Sequence, residues 1–319
     1  MSLATRLGLC APRHARIAMM VGVVVALCVA TQHSRAETAA PPAVHAAQAG
    51  SAFTSDRLSV EVVGEGPDVI LIPGLVSSRE VWRETAERLK ATHRVHLVQL
   101  AGFAGEPWSH GDGAFVQPEV DELARYVREA GLERPAVIGH SMGGLSGLLL
   151  AQQHPERVGR LMMVDSLPFY SAMFGPQATA DTARPFADQF ATVLLATDDA
   201  AFAQQQTATA QGLSRTPATQ ALMVAWSLSS DRHALAAAMR DVMTTDARPG
   251  LAAITIPVTA LYAADAEGGA AASGADALWD REYAPLPGVK LVRIDASRHF
   301  IMADQPERFA EQVEAFLKP

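Results

Sequence analysis

Six consecutive residues, Gly139-His140-Ser141-Met142-Gly143-Gly144, restrict this chain more than any others. They follow the apolar, strand-like run Pro135-Ala136-Val137-Ile138 and lead straight into a helix-like run over Met142–Gln153. A strand that passes into a helix with no loop between them must turn sharply, and small residues two positions either side of the turn leave room for it. A serine at such a turn holds its hydroxyl clear of the backbone, and the first turn of the helix aims free N–H groups at any negative charge that develops there. The five-residue pattern G-x-S-x-G is common by chance, so its weight here comes from having the right flank on each side.

From Leu58 onward, apolar runs of strand length alternate with amphipathic stretches of helix length, the signature of a mostly parallel sheet with helices on both faces. Strands are predicted at Leu58–Val63, Val69–Ile72, Val95–Leu100, Ala136–Ile138, Val158–Val164, Val258–Tyr262 and Lys290–Ile294. Helices are predicted at Glu80–Lys90, Pro118–Ala130, Met142–Gln153, Gly274–Glu282 and Pro306–Leu317, the last opened by a capping box of Asp304 and Glu307. Between residues 166 and 253 the strand signals stop, and Ala, Gln and Met recur at helical spacing. This reads as a helical cap set into the fold after the strand ending at Val164. The core is then residues 52–165 and 254–319.

The N-terminus has a different character. Arg6, Arg13 and Arg16 precede the apolar run Ile17 to Ala30, and Ser34-Arg35-Ala36 follows as a small-x-small site. Residues 1–36 therefore read as a secretory signal peptide cleaved after Ala36, and residues 37–51 as a flexible, Ala-rich lead-in. The apolar run is short of the roughly 20 residues that a membrane-spanning helix needs, although an uncleaved anchor is the alternative. A periplasmic or secreted location follows. Both cysteines, Cys10 and Cys28, fall within the leader, so the mature chain has no disulfide framework. Its removal takes four arginines and no acid, moving the formal charge from −8 to −12. That balance argues against nucleic acid as a partner.

A hydroxyl is a poor nucleophile at neutral pH, so Ser141 needs a base in hydrogen-bond reach, and the base needs an orienting acid. His299 is the candidate base, in Asp295-Ala296-Ser297-Arg298-His299-Phe300, just past the last predicted strand. Of the other histidines, His14, His33 and His45 precede the fold and His154 ends a helix. His93, His96, His110 and His233 carry no motif, and His140 is expected to point away from the serine.

Together these segments resemble the α/β-hydrolase family over about residues 58–317. Ile72-Pro73-Gly74-Leu75 resembles its oxyanion turn, Gly139 to Gly143 its nucleophile elbow, and His299-Phe300 with Asp304-Gln305-Pro306-Glu307-Arg308-Phe309 its catalytic-histidine segment. The resemblance implies an oxyanion hole made by the backbone N–H groups of Leu75 and Met142. It places the triad acid after the family's seventh strand, where Tyr262-Ala263-Ala264-Asp265-Ala266-Glu267 makes Asp265 the best match. Asp165, after the sixth strand, and Glu267 are the alternatives. Ala263 and Arg298 stand where the family usually has glycine.

The activity implied is that of an exported serine hydrolase that cleaves carboxylic esters through an acyl-enzyme, with no metal or organic cofactor. Its partner is a small acyl substrate, with Phe169, Met173, Phe174, Met223 and Trp226 as candidates for an apolar acyl pocket. Hydrolysis of an amide, lactone, thioester or carbon–carbon bond and acyl transfer share the same constellation, and a catalytically silent binding protein is the reading from a different class. Relatives with an aspartate nucleophile are disfavoured by the serine at the turn.

Overall fold

The computed structural model describes residues 53–318; the predicted signal peptide, lead-in and both cysteines lie outside the described residues. Among the described residues there are seven strands: β1 (Leu58–Val63), β2 (Asp68–Ile72), β3 (Arg94–Leu100), β4 (Ala136–His140), β5 (Arg160–Val164), β6 (Val258–Ala264) and β7 (Lys290–Asp295). They form one sheet in the order β1-β3-β2-β4-β5-β6-β7. Only β1 is antiparallel to its neighbour, with Leu58 opposite Leu100; every other pairing is parallel.

Both faces of a parallel sheet are covered, which is why its strands read as near-continuous apolar runs. Along β2 the side chains alternate between two cores. Ile70 and Ile72 join Leu123, Leu145 and Tyr283 on one side, while Val69 and Leu71 join Trp82, Phe309 and Val313 on the other. Each such side chain, fully buried, contributes about 1.5–3 kcal/mol relative to exposure.

The flanking helices are α1 (Arg83–Leu89), α2 (Val116–Glu129), α3 (Met142–Gln153), α8 (Ala272–Tyr283), α9 (Ile301–Asp304) and α10 (Pro306–Leu317). Helix α3 is buried from Met142 to Ala151, as its apolar composition on every face requires. Helix α2 begins two residues before the predicted start because its first amides find a distant acceptor. Asp241 Oδ2 accepts from Phe115 N at 2.7 Å and Val116 N at 2.9 Å, a cap that local sequence does not contain. The capping box expected at Asp304 and Glu307 does not form. Helix α10 has Gln305 at its N-cap with no side-chain cap, Asp304 is engaged elsewhere, and Glu307 pairs with Arg88.

Between β5 and β6 the chain forms α4 (Ala180–Ala196), α5 (Asp199–Leu213), α6 (Pro217–Leu228) and α7 (Arg232–Thr244), with short 3-10 turns at Tyr170–Phe174 and Arg248–Ala253. Helices α4 and α7 pack together, α5 and α6 likewise. Ala191 and Leu194 of α4, Phe202 of α5 and Leu235 of α7 form a small core that also packs on Leu75 and Val76. The helical segment therefore rests on the turn after β2.

In an open sheet of this kind, ligands bind beyond the carboxyl ends of the strands, where the strand order reverses. Here that point lies between β2 and β4. Leu75 follows one of those strands and Ser141 the other.

Candidate active site

Ser141 has φ 54° and ψ −125°, left-handed backbone that a residue with a Cβ rarely adopts. Neighbouring bonds hold it there: its N–H donates to Val164 O at 2.9 Å, and its carbonyl accepts from Gly144 N at 2.8 Å and Leu145 N at 3.2 Å. Glycine on either side is a spatial necessity. A Cβ on Gly139 would lie 2.2 Å from Gly143 O, and one on Gly143 would lie 2.5 Å from Ile72 O and from Pro73 O. The turn after β2 is equally close, since a Cβ on Gly74 would lie 2.9 Å from Ser141 Cβ. Leu75 follows directly. Met142, the first residue of α3, has an N–H with no acceptor inside its own helix. Leu75 and Met142 thus each follow directly on one of the two residues, Gly74 and Ser141, that meet at the reversal point.

His299 Nδ1 lies 2.7 Å from Asp165 Oδ2. A carboxylate can only accept, so the hydrogen sits on Nδ1 and leaves Nε2 as the basic nitrogen. Asp165 is itself fixed: its N–H donates to Leu261 O at 2.8 Å, and its Oδ1 accepts from Ala263 N at 2.9 Å. Like Ser141 it has positive φ, 46°, at the carboxyl end of its strand.

His140 points to the histidine loop, where its Nε2 donates to His299 O at 3.0 Å and its ring centroid lies 4.5 Å from that of His299. Burial, reinforced by the neighbouring His299, pushes its pKa well below the usual histidine value, and its Nδ1 has no partner. It is a neutral donor that pins the loop. Ser141 Oγ makes no hydrogen bond to His299 in this structure; its partner is Tyr170, whose hydroxyl lies 3.4 Å from Ser141 Oγ and 3.3 Å from Asp165 O. Catalytic hydrogen bonds are often long in a free enzyme and tighten with substrate.

The structure sets the expected acid, Asp265, away from the imidazole. Asp265 does not meet His299; its Oδ1 accepts from Arg215 Nη1 at 2.6 Å and its Oδ2 from Arg298 Nε at 2.9 Å. Burial pushes its pKa up, but hydrogen bonds from Arg298 and the Glu267 amide and the charges of both arginines outweigh it and hold the value below the usual carboxylate range. The physical reason is Arg298, which stands where the family usually has glycine and engages this carboxylate. Glu267 is exposed and pairs with Arg215 at 3.0 Å. Of the three candidate acids, Asp165 alone bonds to the imidazole.

The proposed acyl-pocket residues separate. Phe169 is fully buried with the Arg248 guanidinium 4.5 Å over its ring, and Met223 joins the core that holds Trp82 and Phe309, whereas Met173 and Phe174 face outward. Trp226 is half-buried. Sequence reasoning did not find Tyr170, which lies in a segment with no strand or clear helix period, and only its place five residues after Asp165 hints at the site. Among the described residues there is no group of three or more His, Cys, Asp or Glu able to hold a metal ion, and no helix long and apolar enough to cross a membrane.

A family model described as "Alpha/beta hydrolase family" matches residues 69–312. The chain belongs to the alpha/beta hydrolase family. Among curated relatives, a pimeloyl-[acyl-carrier protein] methyl ester esterase of Edwardsiella ictaluri is 29% identical over 248 residues, covering 76% of this chain and 90% of the relative. The enzyme of the same name from Vibrio atlanticus is 32% identical over 122 residues, 38% of this chain, and the match spans 45% of that relative's length. Among solved structures, the enol-lactonase of Burkholderia xenovorans superposes with a TM-score of 0.67 at 18% identity, covering 82% of this chain and 96% of the other. A thermophilic esterase from Thermogutta terrifontis, in a malate-bound structure, gives 0.65 at 22% identity, over 82% and 92%. At such identities the superpositions speak for the fold.

Proposed function

We propose that this chain is a serine hydrolase that cleaves carboxylic esters of small acyl substrates through an acyl-enzyme. The observation that carries the reading is the 2.7 Å bond from His299 to Asp165, set beside a serine in a strained turn between strand and helix. Ser141 Oγ attacks the ester carbonyl as His299 Nε2 takes its proton. The oxyanion that forms is received by the N–H groups of Leu75 and Met142, each such donor being worth roughly 3–4 kcal/mol in a well-formed hole. His299 then passes the proton to the departing alcohol, and water repeats the sequence on the acyl-enzyme. Asp165 stays ionised throughout, fixing the tautomer and stabilising the imidazolium. In this role it replaces Asp265.

The ester bond is carried over from the curated relatives, whose names describe methyl ester esterases. The leader-like residues 1–36 support an exported enzyme, acting in the periplasm or outside the cell. The test is reaction with a serine-directed fluorophosphonate. We expect wild-type protein to be labelled at Ser141 and to hydrolyse p-nitrophenyl esters, and Ser141→Ala to lose both while keeping its fold. Hydrolysis by Ser141→Ala within about tenfold of wild type would overturn the reading, since loss of a triad nucleophile costs several orders of magnitude.

A further inference from the structure

Two carboxylates away from the reacting groups gather side chains from the same pair of distant segments. Asp265, directly past β6, is 2% exposed and lies between Arg215 and Arg298. Asp304, at the end of α9, accepts from Arg298 N at 2.9 Å through Oδ2, and through Oδ1 from Ser214 Oγ at 2.7 Å, Arg215 N at 2.9 Å and Thr216 Oγ1 at 3.1 Å. The Arg298 guanidinium also donates to the Gln211 carbonyl, and Phe300 N donates to Leu213 O at 3.1 Å. The segment at 211–216 joins α5 to α6 in the helical region, and the segment at 298–304 carries His299. One is stitched to the other on both sides of the imidazole.

We propose that Asp265, seconded by Asp304, is a positioning residue of the hydrolytic site, clamping the α5–α6 turn to the histidine loop so that the helical segment over Ser141 and the imidazole keep one relative placement. This rests on the serine-hydrolase reading. A buried carboxylate held between two guanidinium groups depends on both of its arginines: loss of either leaves one oxygen without its guanidinium partner and the buried charge less fully compensated. The two halves of the clamp are unequal. Arg298 is mostly buried, whereas the Arg215 side chain is one-third exposed and has the exposed Glu267 as a second partner. The Arg215 half is the one that can open to water while Asp265 stays bound to Arg298. The same helical segment packs on Leu75 and Val76, so loosening it disturbs the contacts that support the turn after β2.

The experiment compares wild type, Asp265→Asn, Arg215→Gln and the surface control Glu267→Gln by three measurements: hydrogen exchange at the Arg215, Arg298 and Phe300 amides, steady-state hydrolysis of short and long p-nitrophenyl esters, and the rate of fluorophosphonate labelling. For Asp265→Asn and Arg215→Gln we expect exchange at these amides to rise at least about tenfold, as local opening becomes easier. KM should rise at least about fivefold with a smaller change in kcat, the mark of lost binding rather than lost chemistry. Labelling by the small probe should stay within about threefold of wild type, and Glu267→Gln should change none of these. Labelling slowed about 100-fold or more in Asp265→Asn with exchange unchanged would make Asp265 the triad acid and overturn the proposal. Unchanged exchange and KM in both variants would overturn it equally. If Asp265→Asn does not fold, Arg215→Gln decides alone. If wild type resists the fluorophosphonate, the serine-hydrolase reading fails, and the exchange data still decide whether the clamp exists.

Discussion

Asp165 grips His299 through one carboxylate oxygen while the other accepts the amide of Ala263, so the acid is fixed by β6 before it orients the histidine. An asparagine could keep one of these bonds but would present the wrong group to Nδ1 or force the other tautomer. We expect Asp165→Asn to lower kcat by about 10²–10⁴-fold, with fluorophosphonate labelling slowed in parallel and the melting temperature little changed. Steady-state kinetics of the purified variant check this. Activity within about threefold of wild type would remove Asp165 from the triad.

Tyr170 has a single hydroxyl proton and two acceptors, Ser141 Oγ at 3.4 Å and the Asp165 carbonyl at 3.3 Å, so it serves one at a time. Burial raises its pKa above the usual tyrosine value and keeps it a donor. Both bonds are long. Their loss should be worth no more than an ordinary neutral hydrogen bond, about 0.5–1.5 kcal/mol. Tyr170→Phe is therefore expected to change the acylation rate by about two- to tenfold, measured as labelling kinetics at Ser141. A change of a thousandfold would instead place the hydroxyl on the reacting atoms.

Much of this arrangement was legible in the sequence because local rules determine it. The elbow is written in Gly139, Gly143 and the strand and helix on either side, and the histidine segment in its position after the last strand. Which carboxylate meets the imidazole was not legible, since Asp165 and Asp265 each follow a strand and each could turn toward it. What separates them is Arg298, whose guanidinium engages Asp265, together with Arg215 from a segment some fifty residues earlier. Asp304 is a second case, where local spacing pairs it with Glu307 and tertiary contact gives it Ser214 instead; Asp241, which caps α2 from a distant segment, has no local signal at all.

Glu119 sits on α2 against the elbow helix, fully enclosed, with neither carboxyl oxygen hydrogen-bonded. Burial pushes its pKa up to about 8, against a weaker downward pull from the neighbouring Ser146 hydroxyl, which itself makes no well-formed bond. In the unfolded chain the group ionises near the usual 4.5. Between those values the folded state holds a proton that the unfolded state has released, so stability falls as pH rises from about 4.5 to about 8. The full penalty, on the order of a few kcal/mol, is reached above the upper value. Glu119→Gln has no proton to lose. Its advantage in thermal midpoint over wild type should be small at pH 5 and grow steadily to pH 8; a difference that does not vary with pH would mean that the carboxyl is solvated and ionised in the folded protein.

The backbone of Ser141 stores strain that activity requires and stability does not. At φ 54° and ψ −125° a Cβ crowds the adjacent carbonyl, a cost of order 1–3 kcal/mol that the packing around the turn must absorb. Removing the hydroxyl leaves that cost in place, because alanine keeps the Cβ, whereas glycine adopts this region freely. Glycine gives back part of the gain through the greater entropy of its unfolded chain, roughly 0.4–1 kcal/mol. The net expectation is that Ser141→Gly exceeds Ser141→Ala in stability by about 1 kcal/mol, or about 2–4 °C in melting temperature for a domain of this size. Both variants should be inactive, so the comparison isolates the strain from the chemistry. Parallel thermal unfolding of the two proteins measures it, and an alanine variant as stable as the glycine variant would show that the turn is relaxed in solution.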